Sequence, residues 1–175
     1  SQYGEYESRV QAIIQNIKEN GDEALFSYTK QFDKADINAS NVKVTDEEFE
    51  EAYKAVDPAL LDVIRKALVN IESYHELQKQ NSWFKSTPQG TMLGQKVTPL
   101  EKVGVYVPGG KAVYPSSVLM NIMPAKVAGV DKIIMTTPCN AEGKVNPAVL
   151  VAAKEAGADE VYKACLLYTS DAADE

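Results

Sequence analysis

Through the first half of the chain, apolar residues recur at the three-to-four-residue spacing of a helix face. Val10, Ile13, Ile14 and Ile17 form one stripe that Asn20-Gly21 ends, and Asp22 opens a second segment with Leu25, Tyr28 and Phe32 turned inward. Thr45 with Glu48 has the spacing of a capping box ahead of Phe49, Ala52 and Tyr53. Asp57-Pro58 starts the longest helix, whose stripe is Leu61, Ile64, Leu68, Ile71 and Tyr74. Asn41 to Val44 reads as a short strand, and Trp83-Phe84 with Met92 to Thr98 as further strands or a hairpin.

The period changes at Val103. Val103, Val105 and Val107 alternate with Gly104 and Tyr106, so the valines share one strand face and Tyr106 points to the other. Pro108-Gly109-Gly110 breaks the strand. Pro115, with the hydroxyls of Ser116 and Ser117 placed for a cap, then begins a helix that is apolar on most sides from Val118 to Val127 and is expected to be buried. Pro124 removes an N–H inside that helix and should kink or divide it. Lys132 to Thr136 reads as a second strand; Asn146-Pro147 starts another helix, Gly157 ends it, and Glu160 to Tyr162 opens a third strand. Strand, helix, strand, helix, strand implies a parallel sheet with crossover helices. The fold expected is α/β: a mainly helical section over residues 1–90, then an incomplete Rossmann-like βαβαβ unit over 91–164 whose remaining strands come from elsewhere. A helix N-terminus facing the C-terminal edge of a strand gathers N–H donors and dipole that suit a phosphate or another anion, although a plain packing unit has the same pattern.

Composition narrows the class. With 175 residues, 45% of them hydrophobic, the chain can bury a sizeable core, and no apolar run approaches the length of a membrane span. The net charge of -7 is uneven: -6 over residues 1–90, +2 over 91–163 and -3 beyond. No dense basic stripe marks a nucleic-acid surface. Cys139 and Cys165 form neither a metal-type pair nor a disulfide framework, so free thiols in a reducing compartment are expected. His75, the single histidine, lies at the edge of an apolar stripe and reads as a partly buried helix residue. The acidic run around Asp46 to Glu51 suits a helix start. No metal-ligand spacing and no Ser-His-Asp set emerges.

The literal sequence adds more. Leu100-Glu101-Lys102-Val103-Gly104-Val105-Tyr106-Val107-Pro108-Gly109-Gly110, Tyr114-Pro115-Ser116-Ser117-Val118-Leu119-Met120-Asn121 and Pro124-Ala125-Lys126-Val127-Ala128-Gly129 closely resemble histidinol dehydrogenase, the family that ends histidine biosynthesis. Asn20 to Leu25, Tyr28-Thr29, Phe32-Asp33, Ser82-Trp83-Phe84, Gly94 to Leu100, Thr137-Pro138, Gly143 to Pro147 and Ala153 to Tyr162 extend the resemblance from about Arg9 to Lys163. Residues 165–175 depart from it, and Ser1 is not Met. The chain therefore reads as an N-terminal fragment with a foreign-looking tail that is expected to be disordered.

The resemblance implies a cytoplasmic homodimer that oxidises L-histidinol with two NAD molecules, first to the aldehyde and then, through its hydrate, to L-histidine. It implies a zinc ion held by Gln, His and Asp with a His from the other subunit, and a Glu-His pair that moves protons. None of those residues falls within this chain, so the catalytic and metal sets here are empty and the isolated chain is expected to be inactive. The tyrosine matching Tyr106 contacts NAD in the family, and Gly109, Gly110, Ser116 and Ser117 are candidates for the same site, although turn formation and capping also account for those four. Two other readings stand beside this one. Residues 91–163 could be a non-catalytic small-molecule or phosphate-binding module; an aldehyde dehydrogenase would need a nucleophilic cysteine, for which Cys139 lacks an identifiable base.

Overall fold

The computed structural model describes residues 2–109 and 113–164. Helix α1 (Gln2–Phe32) bends at Gly21, whose φ of 56° and ψ of -133° are non-helical. Glycine reaches that conformation at little cost, and the bend brings Asn16 Nδ2 to the Tyr28 hydroxyl at 2.8 Å. Helix α2 (Asp46–Ala55) carries the full capping box, with Glu48 N donating to Thr45 Oγ1 and Thr45 N donating to Glu48 Oε2. Helix α3 (Pro58–Glu76) starts with Asp57 accepting from Ala59 N. Its inward stripe is Leu61, Ile64, Leu68 and Ile71; Tyr74 departs from expectation and is exposed, set edge-on against His75.

Strands β1 (Trp83–Ser86) and β2 (Met92–Gln95) form an antiparallel hairpin exposed along both strands. Then come β3 (Lys102–Tyr106), α4 (Pro115–Ala128), β4 (Lys132–Thr137), α5 (Pro147–Ala156) and β5 (Glu160–Lys163). The three strands form a parallel sheet in the order β3-β4-β5. Register pairs Val105 with Met135 and Met135 with Val161, so one face presents a continuous apolar surface. The α4 helix lies against β3 and β4 and against its neighbour α5, while α2 and α3 pack outside this pair. Sandwiched between sheet and outer helices, α4 buries Val118, Leu119, Ile122, Met123 and Val127, which explains its lack of a polar face.

Two expectations about α4 are corrected. It is not divided at Pro124 but continues from Pro115 to Ala128, because the surrounding apolar contacts outweigh the hydrogen bond the proline removes, a loss usually costing about 3 kcal/mol. Its N-cap is Tyr114 with no side-chain cap, and Ser116 and Ser117 fall inside the first turn. The stretch expected as a strand at Asn41 to Val44 is a single antiparallel bridge from Lys43 to Tyr162. There Val44 N donates to Val161 O and Lys163 N to Val42 O, which occupies the outer edge of β5.

Candidate functional site

The C-terminal edge of the sheet opens into a cleft of about 720 Å³, inside the range of roughly 300 to 1,000 Å³ usual for small-molecule sites. Gly109 and Val113 border it after β3, and Thr137, Pro138 and Cys139 after β4. Asn146 and Pro147 border it at the start of α5, and Glu48, Glu51, Ala52 and Ala55 of α2 form the far wall with Phe32 to Lys34. The β3 and β4 turns touch closely: a Cβ on Gly109 would lie 2.8 Å from Pro138 Cγ, so glycine is needed for the backbones to approach this far.

The two helix starts at this edge differ. At α5, Asn146 accepts from Ala148 N at 2.9 Å, and the preceding loop closes on itself through Asn140 N to Lys144 O and Lys144 N to Asn140 Oδ1. At α4 no side chain caps the helix; Ser117 N donates to Tyr114 O, and Ser117 O accepts from Asn121 Nδ2. The α4 start thus retains the polar character that suits an anion. Side-chain charge adds little to the field, because Lys144 meets Glu51 at 3.5 Å with both groups well exposed.

The candidate residues are distributed around this edge. Gly109 lines the cleft. Tyr106, half-buried at the end of β3 and paired with Thr136, lies on the opposite sheet face, as strand alternation requires. Ser116 is exposed and Ser117 half-buried in the first turn of α4, and neither is among the described cleft walls. Gly110 lies outside the described residues. Cys139 is buried in the β4–α5 connection and borders the cleft.

Sequence reasoning missed the α2 wall and the ion pair beneath it. Lys163 is 4% exposed and donates to Glu48 Oε1 at 2.6 Å, while the other oxygen of Glu48 serves the capping box. The capping spacing revealed half of Glu48's role; its partner is 115 residues away, with no local signal to announce it. Elsewhere, Glu155 on α5 accepts from the Tyr53 hydroxyl at 2.7 Å and from Arg65 Nε at 2.9 Å. Arg65 chiefly holds the Glu155 carboxyl below the usual carboxylate range, and burial followed by Glu155 pushes the Tyr53 phenol up to about 12.

Comparison with known proteins places this geometry. The family model described as histidinol dehydrogenase matches residues 1–165. The histidinol dehydrogenase of Bacillus subtilis (strain 168) is 55% identical over 159 residues, covering 91% of this chain and 37% of that protein. That of Heliobacterium mobile is 52% identical over 155 residues, covering 89% and 36%. The crystal structure of histidinol dehydrogenase from Elizabethkingia anophelis superposes with a TM-score of 0.83 at 36% identity, covering 91% of this chain and 36% of that one. The chain spans little more than a third of the length of the relatives it matches. With a parallel βαβαβ sheet matching a solved relative and a sequence matched over residues 1–165, the chain belongs to the histidinol dehydrogenase family.

Proposed function

We propose that this chain supplies the Rossmann-like, NAD-binding part of an oxidoreductase that converts L-histidinol to L-histidine through the aldehyde, reducing two NAD. The observation that carries the reading is the β3–α4 connection. Tyr106 closes the strand, Gly109 allows the two turns to meet, and α4 begins without a side-chain cap. When bound, NAD supplies the hydride acceptor. Tyr106 would offer an aromatic surface to it, Gly109 would permit close backbone approach, and the first turn of α4 with Ser116 and Ser117 would face its phosphates. Gly110, the next residue in the sequence, belongs to the same proposal.

Zinc does not fit the residues present: the described residues contain no group of three or more His, Cys, Asp or Glu able to hold a metal ion. The proposal therefore assigns the metal, and the proton-moving pair, to the part of the relatives that this chain does not span. The homodimeric state and the cytoplasmic setting are carried from the resemblance. No helix among the described residues is long and apolar enough to cross a membrane. The chain by itself is proposed to bind NAD without oxidising histidinol.

Calorimetric titration with NAD tests the site. Wild type is expected to bind, and Tyr106→Ala to bind about tenfold more weakly, equivalent to about 1.4 kcal/mol. Equal affinities would remove Tyr106 from the site. NADH formation from L-histidinol by the purified 175-residue chain would overturn its assignment as inactive.

A further inference from the structure

Asn20 is the only asparagine of the chain that is followed by glycine, and it stands where α1 bends. Both residues are exposed. Gly21 has φ 56° and ψ -133° in place of helical values, and a Cβ built on it would meet no described atom within 4 Å. The left-handed bend, not a packed neighbour, is therefore what calls for glycine.

The bend separates two unlike parts of α1. After it, Ala24 and Thr29 are buried and Phe26 packs on the core. Before it lies an arm in which no described side chain is buried, and among the described residues Val10, Ile13, Ile14 and Ile17 do not join the core. Polar bonds tie this arm back: Asn20 Nδ2 donates to Asn16 Oδ1 at 2.7 Å, and Asn16 Nδ2 donates to the Tyr28 hydroxyl at 2.8 Å. A segment with so little buried surface opens at low cost. Opening at the bend lets the Asn20 side chain swing toward the Gly21 nitrogen, and glycine has no Cβ to obstruct it.

We propose that Asn20-Gly21 is a site of spontaneous covalent modification, at which the Asn20 carboxamide becomes a carboxylate through a succinimide. The Gly21 nitrogen attacks Asn20 Cγ; the N–Cγ bond forms, the Cγ–Nδ2 bond breaks, and the amide proton leaves with the amine as ammonia. Water then opens the ring at either carbonyl, giving aspartate or isoaspartate, so no oxidant or reductant is needed. Neither product keeps the Nδ2 donor that now reaches Asn16. Isoaspartate also routes the backbone through the former side chain and adds a carbon at the bend, so the arm loses its fixed bearing.

The test incubates the purified 175-residue chain at mildly alkaline pH and follows each asparagine by peptide mapping, with an isoaspartate-specific methyltransferase assay to identify the product. Asn20 is expected to convert about tenfold faster than exposed Asn81, which precedes Ser82, a barrier difference of about 1.4 kcal/mol. Equal rates would overturn the proposal. A free peptide spanning residues 16–25 sets the reference: a similar rate in the folded chain supports an open bend, whereas a rate lower by about tenfold or more would show that α1 shields Asn20 and would overturn it. Asn20→Gln keeps a carboxamide but must close a larger ring, and is expected to lose the product with its circular dichroism unchanged; isoaspartate persisting there would refute the assignment. Hydrogen exchange over residues 2–19 is expected to quicken in the aged wild type and not in aged Asn20→Gln. Equal exchange in the two would remove the effect on the arm.

Discussion

The two crossover units of the parallel sheet share a topology and are secured in different ways. The α5 unit is pinned by polar bonds at both ends: the Asn146 cap and self-closed Asn140–Lys144 loop at its start, and Glu155 with Tyr53 and Arg65 near its finish. The α4 unit is held by apolar burial on several sides, and its start has no side-chain cap. Burial fixes where α4 lies without a side-chain cap on its first turn. An ordered helix with an uncapped start can serve a ligand; one whose start is already capped has less to offer.

The largest effect should come from attacking the apolar side of this contrast. Ile122 is completely buried in α4, and Ile122→Ala is expected to cost about 2–5 kcal/mol in denaturant unfolding. On the polar side, Asn146→Ala removes the α5 cap and should cost about 1 kcal/mol while leaving NAD affinity unchanged. A matching change in affinity would show that the α5 start also serves the ligand. Smallest of these, Tyr114→Ser supplies α4 with the cap it lacks and should stabilise the chain by up to about 1 kcal/mol. A loss instead would show that Tyr114 packs more usefully than a cap bonds.

Titration sharpens the same contrast, since the polar moorings lie on the α5 side. Glu160 on β5 is held at about 2, chiefly by Lys132 and then by Tyr162 and Lys43. Its contribution is present above the ordinary carboxylate value of 4.5 and is lost as pH falls toward about 2, because the unfolded chain takes up the proton first. Tyr53 runs the other way: its contribution is intact below pH 10.0 and is lost as pH rises toward about 12, because the unfolded chain releases its proton first. Unfolding midpoints measured against pH should therefore slope less on the alkaline side in Tyr53→Phe and less on the acid side in Glu160→Gln. Unaltered slopes would deny these bonds a part in stability.

Local signals were legible. Gly21, the Thr45–Glu48 box, Asp57-Pro58 and Asn146-Pro147 all act on chain within a few residues, and each stands where its chemistry places it. Features set by distant packing were not. Pro124 looked like a break because the helix-stabilising contacts around it come from other elements, and Tyr74 continued a stripe beyond the surface able to cover it. At the site, the strand, turn and helix around Tyr106 and Gly109 were readable from alternation and glycine. The wall from α2 and the Lys163–Glu48 pair depend on residues far apart in sequence.

The bridge between Lys43 and Tyr162 constrains how this sheet can grow. With the backbone of Val42 and Val44 already bonded along β5, a newcomer strand finds that flank taken. Among the described residues the edge of this sheet left unpaired is that of β3, so a few residues near the front of the chain decide which flank of the layer is closed.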